Sequence, residues 1–206
     1  LDLKNNYPSE FPRRILFIEQ HLERIESTLY YARSQQNNHW ISEAAALFIG
    51  GSWLTIHDKN HSKYADEWAC TGRIQLEKSL DKLTMNDGSF TQYSLTYHRF
   101  VLDTLAQVEL WRRWLNLPPF SKNFQLRYSS LINWFSFFVD PISGDGPNLG
   151  SNDGAFCYQL HNLPYRDFRP TLQLSSLLDP IESCSRLGEG LWNEPMIWLN
   201  LNINLP

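Results

Sequence analysis

Apolar residues recur at spacings of three and four along most of this chain, and a polar or proline break closes each such stretch. Ile15, Ile18, Leu22, Ile25 and Leu29 form one stripe, the mark of a helix with one face against a core. The spacing predicts a first helix over residues 9–33, followed by a polar break from Ser34 to Asn38. Asn38 is placed to cap a second helix whose body, 41–54, carries Ala44, Ala45 and Ala46. Gly50-Gly51 weakens that helix, yet residues so slim also let two helices approach closely. A third helix is expected over 62–83, with Leu76, Leu80 and Leu83 on one face, before the turn Asn86-Asp87-Gly88. A fourth, 94–115, sets Tyr97, Val101, Leu105, Val108 and Trp111 along one side and stops at Pro118-Pro119. A fifth, 122–139, ends at Asp140-Pro141. Residues 142–163, rich in Gly, Asn, Asp and Ser, read as a long loop. Residues 168–178 read as helix, and no pattern is assigned to 179–206. Helices joined by short breaks predict an all-α fold of antiparallel hairpins, with no repeat clear enough for a solenoid.

Composition narrows the function. The chain has 206 residues, 42% hydrophobic and 19% charged, values of a globular protein with a real core. A net charge of −4 argues against a nucleic-acid partner, because a phosphate groove needs clustered Lys and Arg. No run of eighteen apolar residues occurs, so no membrane span is expected. The aromatic share is 14%, with eight Trp, which suits a helical core or a cleft where flat rings meet sugar faces. Cys70, Cys157 and Cys184 are widely spaced without a C-x-x-C pair, so they form neither a disulfide framework nor a zinc knuckle.

Two short constellations carry chemistry. Asn38 and His39 stand at a helix start, where backbone N–H groups face an incoming anion. An Asn amide there is placed to bond a substrate carboxylate, and an imidazole to act as base or charge stabiliser. Glu43, one turn on, is spaced to orient His39. Tyr97 and His98 open the fourth helix. A base role for Tyr97 requires its phenol to ionise below its usual value near 10, with a cation such as Arg99 or His98 to lower it. Taken singly, each residue has a plainer reading: Asn38 as a cap, His39 and Glu43 as solvated positions, Tyr97 as a core ring. Trp40 and Trp134 read either as sugar-stacking platforms or as helix packing. Arg99, Arg166 and Arg169 suit bidentate contact with oxyanions, and Arg166-Asp167 also reads as a surface ion pair.

Other motifs exclude themselves. His57 and His61 are four apart with Asp58 between them, a spacing that holds a metal on a helix. The polar run around Asn60 reads as a loop, however, and a third ligand is lacking, so neither metal nor cofactor is expected. Ser151-Asn152-Asp153-Gly154 lacks most positions of a calcium loop and reads as a turn. Gly144, Gly146, Gly150 and Gly154 follow no strand and precede no Gly-Lys-Ser, which rules out a phosphate loop. No nucleophile motif is present.

Taken in order, Asn37-Asn38-His39 with Glu43, Asp87-Gly88-Ser89-Phe90, Tyr97-His98, Asp140-Pro141 and Leu149-Gly150-Ser151-Asn152-Asp153 resemble the heparinase II/III-like polysaccharide lyases, a group that includes alginate lyases of similar build. The resemblance runs from about residue 10 to 178. It implies an incomplete (α/α) toroid of antiparallel helical hairpins around a cleft for an acidic polysaccharide, and a periplasmic or secreted location. Members usually carry a β-sandwich domain after the toroid. The chain is accordingly read as one toroid segment, 1–206, of a longer protein whose opening helices and β-sandwich lie outside it. The implied reaction is β-elimination. Asn38 neutralises the uronate carboxylate, His39 assists or acts as base, and Tyr97 removes the proton or protonates the departing glycosidic oxygen. His98, Arg99, Trp40, Trp134 and Gln92 are the implied substrate contacts. Gln92 stands in the segment before the Tyr-His pair where family members often carry an acidic residue. That departure motivates an alternative, a component that binds acidic polysaccharide, or helps assemble it, without cleaving it. A third reading, from another class, is a helical scaffold for a protein partner.

Overall fold

The computed structural model describes residues 10–57, 64–179, 181–182 and 187–201. Among these the chain is all-helical, and the only strand-like pairing is an isolated bridge between Thr84 and Phe90. Two compact units divide it, Leu1–Leu76 and Glu77–Pro206.

In the first unit, α1 (Phe11–Gln35) carries Pro12 in its first turn, where a missing N–H and fixed φ are suited. It ends where Gln36 turns left-handed, at φ 49°. Leu22 and Leu29 are buried while Leu16, Phe17, Tyr30 and Tyr31 are exposed, so the stripe read from the sequence is the inner face. That face packs on α2 (Asn38–His57). The cap of α2 lies one residue earlier than expected. Asn37 Oδ1 accepts the His39 N–H at 3.0 Å, and Asn38 is already helical. The third helix, α3 (Ala65–Leu83), starts later than the predicted residue 62, which lies outside the described residues. Its glycine makes a close approach to α2: a β-carbon on Gly72 would lie 2.2 Å from the backbone nitrogen of Phe48. Indole nitrogens add polar ties, Trp68 to Glu26 at 2.7 Å and Trp40 to Gln75 at 3.0 Å.

The second unit begins within α3. A turn follows in which Asp87 Oδ1 accepts both the N–H and the hydroxyl of Ser89 and Gly88 takes φ 88°. Ser94 caps α4 (Leu95–Trp114) by accepting the Tyr97 N–H, and Ser121 caps α5 (Lys122–Ser136) in the same way through Phe124. α5 stops short of the predicted residue 139. Phe137 and Phe138 donate to carbonyls three residues back, the tightening typical of a helix end. Asp140 then gathers the N–H groups of Ile142 and Ser143 into a turn. The loop predicted over 142–163 is a loop, and α6 (Arg169–Leu178) follows it. A single 3₁₀ turn, Leu191–Asn193, leads into α7 (Glu194–Trp198). α4 packs against α5 and α6, and Ala106, Leu110, Leu174, Leu178 and Met196 share one apolar core. Each large side chain there contributes about 1.5–3 kcal/mol by leaving water.

Candidate functional site

The first unit carries Asn38 and His39. Asn38 is buried in the first turn of α2, whereas His39 is exposed. Glu43, one turn further, is half-buried. Burial pushes its carboxyl above the usual range, and His39 pulls it the other way. Its Oε2 has no hydrogen-bond partner. Trp40 turns inward against α3, with Arg33 over its ring at 6.0 Å. It therefore packs the interior of this unit and offers no face for stacking on a sugar.

The second unit carries Tyr97, His98 and Arg99 on consecutive positions of α4, and they point to different surroundings. The half-buried Tyr97 sends its hydroxyl toward the loop, where it donates to Asp153 Oδ2 at 2.6 Å. That bond, with some burial and the charge of Asp153, raises the phenol above its ordinary value. Asp153 is held correspondingly low, chiefly by the Tyr97 hydroxyl. The lowering by Arg99 or His98 that a base role requires is therefore reversed, and the unliganded phenol is a proton donor. Next to this pair, Tyr165 donates to Asn152 Oδ1 at 2.9 Å, and Asn152 donates to Asn148. Two phenols thus meet two consecutive loop residues.

His98 is fully buried. Its Nε2–H donates to the Leu131 carbonyl at 2.9 Å, and its ring stacks on Trp134 at 4.7 Å between ring centres. Desolvation lowers it to about 4, so the ring is neutral at pH 7 and supplies no charge to Tyr97. Trp134 stacks on His98 and also lies against Phe138, at 4.3 Å between ring centres. Arg99 is buried as well, in a cage of Phe156, Tyr165 and Phe168 at 4.4–4.9 Å from the ring centres. It donates to the carbonyls of Tyr165 and Ala155. Expected against substrate, His98 and Arg99 instead hold α5 and the loop onto α4 in this structure. Gln92 is half-buried just before the cap of α4.

The arginines beyond the loop are also engaged. Arg166 pairs with Asp145 at 2.6 Å rather than with its neighbour Asp167. Asp167 is instead taken by Arg169, which lies over Trp192 at 4.3 Å. Of the pair His57 and His61, His61 lies outside the described residues, as do the intervening Asp58 and Cys184. Among the described residues no group of His, Cys, Asp or Glu is arranged to hold a metal, and no helix is long and apolar enough to cross a membrane. No family model, curated protein or solved structure matches this chain.

Asp153 is the residue that sequence reasoning passed over, as part of a turn. The signal was its place in the Ser-Asn-Asp-Gly run, but nothing local linked that run to a phenol 56 positions away.

Proposed function

We propose that this chain is the helical portion, an incomplete (α/α) toroid, of a lyase that cleaves a uronic-acid-containing polysaccharide by β-elimination. The observation that carries the reading is the Tyr97 phenol, set at the first turn of α4 with its proton directed to Asp153. A protonated phenol at a surface is suited to give its proton to a departing glycosidic oxygen. Asn38 and His39 keep the roles the resemblance implies, carboxylate neutralisation and base. Each assignment rests on its own unit. No water is consumed, so the paired carboxylates of a glycoside hydrolase are not required.

The test is to incubate the full-length protein with a panel of uronate polymers and follow absorbance from new carbon–carbon double bonds. Tyr97→Phe is expected to lower the rate by about 10²–10⁴-fold, the usual weight of a general acid. Turnover that survives the substitution removes Tyr97 from the mechanism. A second reading, binding without cleavage, is favoured by one observation: the Tyr97 hydroxyl is bonded to a carboxylate that opposes its ionisation, while His98 is neutral and Arg99 is caged by rings. Oligosaccharide binding with no absorbance change across the panel selects that reading.

A further inference from the structure

The loop beside Tyr97 is fastened at both ends to α4, and the fastenings fix what lies between them. At one end the Ser94 hydroxyl donates to the Ser151 carbonyl at 2.6 Å, and the Leu95 N–H donates to the Leu149 carbonyl at 3.0 Å. Gly150 makes that approach possible. It takes φ 71°, and a β-carbon there would fall 2.1 Å from the Tyr93 carbonyl oxygen. At the other end the caged guanidinium of Arg99 holds the Ala155 carbonyl at 3.1 Å. Asp153 lies between these anchors. It meets the phenol at 2.6 Å. A loop tied down by a buried hydroxyl and a buried cation is an expensive way to hold an exposed carboxylate unless its position matters.

We propose that Asp153 is the positioning residue of this site: by taking the hydrogen bond of Tyr97 it fixes where the phenol oxygen lies and keeps that oxygen protonated until substrate arrives. The proposal rests on the lyase reading for its place in a reaction. There the Tyr97 hydroxyl turns its single proton from Asp153 to the departing glycosidic oxygen, and the Tyr97 O–H bond breaks as an O–H bond forms on that oxygen. The scissile C–O bond leaves its electron pair on that oxygen. The electrons of the neighbouring C–H bond become the new double bond, and that proton goes to a general base such as a neutral imidazole. The phenolate left on Tyr97 is reprotonated from water. Throughout, Asp153 acts on Tyr97 and not on the sugar. Tyr165 is the other ionisable group facing the phenol, and it is turned to Asn152.

The deciding experiment needs no substrate. Tyrosine ring carbons in the full-length protein are labelled with ¹³C, Tyr97 is assigned by its loss in Tyr97→Phe, and the signals are titrated by NMR. Tyr97 is expected to ionise above the ordinary phenol value of about 10. Asp153→Asn keeps an acceptor but removes the charge, and is expected to bring Tyr97 down toward that ordinary value. Asp153→Glu is expected to restore much of the difference. A Tyr97 midpoint at the ordinary phenol value, or one that Asp153→Asn leaves unmoved, overturns the proposal. Where turnover is measurable, Asp153→Asn is expected to lower kcat about tenfold with KM within about twofold, and to move the basic limb of the kcat profile to lower pH. A shifted Tyr97 in a protein that cleaves no uronate polymer keeps the pairing and discards the lyase reading.

Discussion

His98 Nε2 donates to the carbonyl oxygen of Leu131 at 2.9 Å, while its Nδ1 has no partner and no access to water. One nitrogen is satisfied only as a donor, and the other is bare. A second proton on that ring would be a buried charge with nothing to pair it. Its ionisation falls to about 4 in the fold, against about 6.5 for an unperturbed His. The unfolded chain therefore binds more protons between those values, and stability drops as pH falls through that window. The loss traceable to His98 is about 3 kcal/mol. It is read as the difference in denaturant unfolding between the wild type and His98→Phe, which keeps a ring against Trp134 but cannot titrate. The advantage of the wild type shrinks between pH 6.5 and pH 4; a constant difference would show that His98 does not titrate in this way.

Asp103 has the opposite sign. It is buried in α4 with the Thr171 hydroxyl donating to it at 2.7 Å. Arg99, Cys157 and Tyr158 are its charged or ionisable neighbours. Desolvation raises it to about 7, partly offset by Thr171 and Arg99. The folded chain holds the extra proton between about 4 and 7, so the stability from this residue declines as pH rises through that range. Asp103→Asn preserves an acceptor for Thr171 without the charge. It is expected to gain on the wild type by up to about 4 kcal/mol between pH 4 and pH 7, measured by the same unfolding series.

Arg99 supports the loop through two carbonyls and three ring faces. Arg99→Met fills some of the volume but strands both carbonyls, and is expected to cost about 2–4 kcal/mol. Arg99→Lys keeps the charge and loses the flat stacking surface, so it falls between. Thermal unfolding orders the three proteins. A Lys variant equal to the wild type would show that the rings contribute nothing.

Gly72 tests the helix approach. Helix propensity alone favours alanine there by about 1 kcal/mol. The added carbon would lie 2.2 Å from the Phe48 backbone nitrogen and 2.7 Å from the Ala44 carbonyl oxygen, and backbone cannot give way as a side chain can. The clash is expected to win, with a net loss of about 2 kcal/mol or more. A stabilised Gly72→Ala protein would show that the helices part readily.

The helices were legible because a one-sided helix leaves a period in its sequence. Leu22 and Leu29 in α1 are buried as their spacing required. α4 is different. Its buried positions include Val101 and Leu105 from the predicted stripe, but also His98, Arg99, Asp103 and Glu109. A helix covered on most sides buries polar residues outside its apolar stripe as well, so spacing alone does not show that His98 and Arg99 point into packed surroundings. The placement of Asp153 on Tyr97 was illegible for another reason. It depends on where a loop of mixed small residues is tied, and those ties run from Ser94 and Arg99 to main-chain carbonyls, which any residue possesses.

Ser94 does two things with one oxygen, accepting the Tyr97 N–H and donating to the Ser151 carbonyl. Lifting the loop thus leaves a buried hydroxyl without its acceptor, and fraying the start of α4 frees the same hydroxyl from its other duty. Opening of either part loosens the other. In amide hydrogen exchange the Tyr97 amide and the 149–155 segment would then open as one cooperative unit, and a ligand that quiets one would slow exchange in both.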